Sequence, residues 1–143
     1  MDILQPPGWP RPRGYVNGIA AHGTIISVAG QIGWNAQGKF TSDDLVAQVR
    51  QALENIVAVL AQAGAEPHHL VRLTWYLTDK REYLARAREI GAVYREVIRD
   101  PLGPPHYPVM SAVQVAALIE DRAKVEIEAT AVLPPPQVLR GDP

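Results

Sequence analysis

The sequence predicts an α+β fold, a mixed β-sheet with two long helices packed on one face. Three observations predict it. The segment 123–132 alternates strictly, with Val125, Ile127, Ala129 and Ala131 on one side and Lys124, Glu126, Glu128 and Thr130 on the other. Leu45, Val49, Leu53, Ile56 and Leu60 recur at helical spacing, and Ala52 and Val57 widen that stripe. A second helical pattern over 80–99 follows a strand-like run, so both helices can cover the same sheet face.

Tyr15 to Ala21 reads as the first strand and Thr24 to Gly30 as the second. The His22-Gly23 turn between them predicts an amino-terminal hairpin. Gly30 and Gly33 flank Gln31-Ile32, where the strand ends or bends sharply. Thr41 or Ser42 can cap the first helix, and Gly64 is suited to a left-handed stop. Leu70 to Thr78 is the third strand. Asp79 can cap a second helix running to about Arg99, with Tyr83, Leu84, Ala87, Ile90, Gly91, Tyr94 and Ile98 inward, and Pro101 stops it. Residues 107–118 and 123–132 then form a hairpin, or near neighbours in one sheet.

At 143 residues the chain is expected to form a single domain, with its core in about 15–132 and proline-rich termini over 1–13 and 133–143 lying extended or disordered. The net charge of −1 argues against a protein that grips nucleic acid by neutralising phosphates. With no cysteine, disulfides, thiolate metal sites and cysteine nucleophiles are excluded. The first residues lack a secretory pattern and no apolar run reaches membrane-spanning length, so the expectation is a cytoplasmic protein. His68-His69 has no third ligand suggested nearby, and neither a metal nor a cofactor is expected. Glu126 and Glu128 make the second sheet face too polar for a core within one chain. A partner copy is the simplest cover, and it would create pockets between chains.

Four stretches together resemble the RidA/YjgF family of reactive-intermediate imine deaminases. They are Thr24 to Gly33, Gln48 to Ile56, Val71 to Asp79, and Ser111 to Leu118 running into Val125 to Ala129. The resemblance implies a chorismate-mutase-like domain assembled as a homotrimer with clefts between subunits. It also implies roles for residues. Tyr15, the Gly30-Gln31 step and Glu126 match the family, in which that glutamate positions or activates the attacking water. The arginine that grips the substrate carboxylate, immediately before Ser111, is replaced by Met110. An asparagine three residues before Tyr94 is replaced by Gly91, and the helix between Asp79 and Tyr94 is about one turn longer than in relatives.

Glu126 and Tyr15 are therefore the candidate catalytic residues, and Gly30, Gln31, Met110, Ser111, Gly91 and Trp34 the candidate substrate contacts. Met110 cannot bind a carboxylate, so its pocket should favour an apolar or aromatic small molecule. Arg13 and His106 are the candidates for a replacement anchor. Three functions follow: hydrolysis of an enamine or imine without the usual arginine grip, ligand binding without turnover, and RNA cleavage of the kind ascribed to some relatives. Near-neutral charge and the lack of an aromatic-basic stripe weigh against the last.

Overall fold

The computed structural model describes residues 1–137, so the end of the 133–143 tail lies outside the described residues. A four-stranded mixed sheet carries the architecture. Its strands are β3 (Thr24–Ile32), β4 (Leu70–Leu77), β5 (Val109–Gln114) and β6 (Val125–Leu133), in the order β3-β6-β4-β5. β6 is antiparallel to both β3 and β4, while β4 and β5 are parallel. Helix α1 (Leu45–Ala61) and the pair α2 (Lys80–Ala85) and α3 (Ala87–Val97) complete the main layer.

Two strand pairings differ from the sequence expectation. β2 (Gly18–Ala20) turns away from β3 and pairs with β1 (Asp2–Leu4), forming a small exposed ribbon from the amino terminus. β3 instead pairs with β6, which sets Val28 opposite Ala129 on the buried side. Strand choice follows the burial of apolar faces, not nearness in sequence. Likewise β5 and β6 form no hairpin, because β4 lies between them. β5 stops at Gln114, and the stretch from there to Val125 is long enough to cross the end of β4.

The alternation of β6 is as the sequence predicts. Val125, Ile127, Ala129 and Ala131 are buried, and Glu126, Glu128 and Thr130 are half-exposed on the opposite face. β4 buries Leu70, Leu73, Trp75 and Leu77, and a register shift between Leu70 and Arg72 explains its broken alternation. On α1, Leu45, Val49, Ala52, Leu53, Ile56 and Leu60 are buried against this face. Truncating a fully buried leucine such as Leu53 to alanine typically costs about 2–5 kcal/mol.

The α1 cap is Asp44, not Thr41 or Ser42. Its carboxylate accepts the Ala47 N–H at 3.0 Å, and the Ser42 hydroxyl accepts the Asp44 N–H at 3.0 Å. A carboxylate suits the positive helix end better than a hydroxyl. Gly64 provides the left-handed stop at φ 71°, with its N–H on the Ala61 carbonyl and the Ala65 N–H on Leu60. Gln48, buried on α1, donates to the carbonyls of Ser42 and Arg122 and accepts the Lys124 N–H at 2.8 Å. Its bonds to Arg122 and Lys124 join α1 to the start of β6.

Asp79 caps the second helix by accepting the N–H groups of Arg81 and Glu82. The helix then divides at Arg86, whose φ and ψ of −104° and 12° interrupt the α-helical ladder. The break turns Leu84 and Ala87 outward, contrary to their predicted burial, while Ile90, Val93, Tyr94 and Ile98 remain in the core. No described helix is long and apolar enough to cross a membrane.

Candidate functional site

The β4–β5 register puts Met110 beside Leu73 and Ala112 beside Trp75, on the helix side of the sheet. Above this floor lies a cavity of about 360 Å³. α3 contributes Ile90, Gly91, Tyr94 and Arg95, and α2 contributes Tyr83. A parallel bridge between Val16 and Val109, with the Val16 N–H on the Pro108 carbonyl at 3.2 Å, brings the segment Arg13 to Tyr15 to the rim. Tyr15 is thus outside any strand.

The Pro-rich loop 100–108 supplies the remaining wall. Tyr107 stacks on Tyr94, with ring centroids 5.4 Å apart and planes at 14°. The Tyr94 hydroxyl donates to the His106 carbonyl at 2.6 Å, and burial pushes its pKa far up, so it stays a neutral donor. His106 is held on both sides: its main-chain N–H donates to Ile98 and its Nε2–H to the Leu70 carbonyl at 2.7 Å. Burial lowers its pKa and keeps it neutral. It fastens the loop and does not line the cavity, which corrects its candidacy as an anchor.

Two basic residues line the cavity, Arg13 and Arg95. Gly91 leaves a slot that the Arg95 side chain enters: a Cβ at position 91 would meet Arg95 Nη1 at 3.1 Å. No acidic residue lines the cavity, and neither arginine has a carboxylate partner among the described residues. The indole N–H of Trp75 is buried there without a protein acceptor.

Glu126 is on the opposite sheet face. There β3 has a bulge between Val28 and Gln31, and Gly30 lies flat against the Glu126 side chain. A Cβ on Gly30 would come within 2.5 Å of Glu126 Oε2, so the close approach requires glycine. Glu126 has no hydrogen-bond or ion-pair partner among the described residues. Its neighbour Glu128 is engaged, accepting the Tyr76 hydroxyl at 2.6 Å, and this bond raises the Tyr76 pKa. Tyr76, Glu126, Glu128, Leu118 and the exposed Ile119 surround a second hollow of about 290 Å³.

Of the residues predicted from sequence, the structure brings together Tyr15, Met110 and Gly91, with Arg13. It sets Gly30, Glu126 and, by its pairing with Thr74, Ser111 on the other face. Gln31 bonds the Ala29 carbonyl, and Trp34 bridges Phe40 in the loop after β3; neither reaches the cavity. Arg95 and Tyr107 were missed. Arg95 follows Gly91 by four residues, which is the signal that could have found it. Among the described residues no group of three or more histidines and carboxylates is placed to hold a metal.

Residues 10–133 match the family model described as Endoribonuclease L-PSP. A RutC family protein of Pasteurella multocida is 34% identical over 110 residues, 77% of this chain and 81% of that one. A 2-iminobutanoate/2-iminopropanoate deaminase of Salmonella typhimurium is 31% identical over 118 residues, 82% of this chain and 86% of that one. The crystal structure of E. coli TdcF with bound serine superposes with a TM-score of 0.65 at 33% identity, covering 93% of this chain and 99% of that chain. With the α+β fold and these relatives in agreement, the chain belongs to the RidA/YjgF family, that of the reactive-intermediate deaminases.

Proposed function

We propose that this protein is a cytoplasmic homotrimer that hydrolyses an enamine or imine in a cleft between two copies. One observation carries the reading. Glu126 and the Tyr15–Met110 cavity lie on opposite faces of one sheet, so a single copy cannot present both to one substrate. A neighbouring copy that covers the polar face would place its cavity against Glu126. The unpaired Glu126 carboxylate holds a water and takes its proton as the oxygen attacks the imine carbon. Tyr15 donates a hydrogen bond to the substrate. Glu126 returns that proton to the nitrogen, the hydroxyl of the tetrahedral adduct gives up its own, and the C–N bond breaks, so that imine plus water yields a carbonyl and ammonia. The deaminase name of the Salmonella relative and the serine bound to TdcF support a small substrate of this class.

Met110 favours a second reading, a trimer that binds an apolar or aromatic metabolite without turnover, because the strand offers no cation to fix a small imino acid. The test is complementation. Glu126→Gln should reduce kcat by roughly 10²–10⁴, as loss of a general base does, and Tyr15→Phe should also impair turnover. Refolding the two variants together should rebuild about a quarter of the sites, because each site takes one residue from each copy. No recovery from a mixture that sediments as a trimer would show that the pair does not act across the interface.

A further inference from the structure

We infer that Arg95, with Arg13 lining the same cavity, is the carboxylate anchor of this protein. The inference rests on the reading of the cavity as the ligand site, and it names the class of ligand: a 2-imino or 2-oxo acid with a bulky apolar or aromatic side chain. The apolar part sits deepest, on Met110 and Trp75, and the carboxylate stays at the rim.

Three observations converge on Arg95. Its helix neighbours three and four positions away are Gly91, Ala92, Ile98 and Arg99, so no carboxylate on α3 can neutralise it. The adjacent acid, Glu96, is already bound to Arg50 of α1. By contrast, Arg50 has an acidic partner on its own helix, and Arg86 has one in the first turn of α3. The second observation is the slot at Gly91: a Cβ there would meet Nη1 at 3.1 Å, so the guanidinium lies close against the helix backbone where glycine leaves room for it. The third is the sign and chemistry of the cavity. Two cations and no acid surround a wall of Trp75, Tyr83, Tyr94 and Tyr107, which suits an anion joined to an apolar body. A planar guanidinium can hold a carboxylate in a two-point contact that no other group in the cavity offers.

Phenylpyruvate, pyruvate and phenylacetone separate these contributions. The last keeps the aromatic body and lacks the carboxylate. Calorimetry on the intact protein should show phenylpyruvate binding at least about tenfold tighter than phenylacetone, and pyruvate weakest, because a charged hydrogen bond adds to apolar burial. Arg95→Gln should remove most of the difference between phenylpyruvate and phenylacetone, and Arg95→Lys should recover part of it. Arg13→Gln should have the smaller effect. Arg95 is exposed, so these variants should keep the wild-type melting temperature. Undiminished phenylpyruvate binding by Arg95→Gln would overturn the anchor and leave the cavity as the ligand site. Failure of all three probes to bind a folded trimer would overturn both.

Discussion

At the scale of single residues, Gly30 and Met110 carry the sharpest consequences. Gly30→Ala would force its Cβ into the Glu126 carboxylate, which must then swing away. We expect kcat to fall by at least about tenfold while the melting temperature changes little, since Gly30 is exposed and its strand remains paired. Unchanged turnover would show that the Glu126 position is not used. Met110→Arg should add a cation to the cavity floor and raise kcat/KM for small imino acids, such as that of alanine, assayed as they form from an amino-acid oxidase. The empty variant should lose roughly 1–3 kcal/mol, the typical cost of a buried unpaired polar group, and regain part of it with a carboxylate ligand. The face that Glu126 takes was legible in the sequence, because strict alternation along β6 fixes it. Arg95 was not. Its place at the cavity depends on what the side chains of Tyr107 and Trp75 enclose, and that enclosure joins segments far apart in the chain.

At the scale of elements, the break between α2 and α3 shows where local pattern fails. Neither proline nor glycine marks it. Arg86 instead bonds Glu89 through two nitrogens, at 2.9 and 2.8 Å, and reaches Asp44 at 2.9 Å, so the cap of α1 helps to hold the break. A partner 42 residues away leaves no trace in a helical period. The continuous stripe of α1 and the twofold period of β6 were legible because each element packs against a single layer. The strand order was not, because β5 and β6 read equally well as adjacent strands. Arg86→Ala should detach α1 from the break and increase hydrogen exchange in α2, with a small change in overall stability. Tyr94→Phe removes the bond to the His106 carbonyl and should cost about 1 kcal/mol. It should also loosen the loop that holds Tyr107, so phenylpyruvate binding should weaken more than melting temperature suggests.

At the scale of the whole molecule, acid should destabilise in two steps. Burial lowers the pKa of both His69 and His106 from the ordinary 6.5, so the unfolded chain takes up protons first as pH falls. Their contribution is complete above pH 6.5 and is lost progressively below it. Melting temperature should therefore drop between pH 7 and 5, and His106→Gln should flatten that drop. Asp44 and Glu89, held below their ordinary values of 3.8 and 4.5 by Arg86, contribute above those values. That contribution disappears as pH falls through the lower folded values. A melting temperature that stays level down to pH 5 would show that the histidines protonate without cost. The sheet order has one more consequence, for biosynthesis. Among the described strands β6 alone joins β3 to the β4–β5 pair, and it is the last of them to be made. Until about residue 133 has left the ribosome, β3 and β4 each show an open hydrogen-bonding edge. Closing the sheet then requires contacts between the two ends of the chain, which is slow compared with helix formation. A ribosome-bound chain halted near residue 124 should be readily digested by protease and bound by chaperones, whereas a chain extended well beyond residue 133 should resist both.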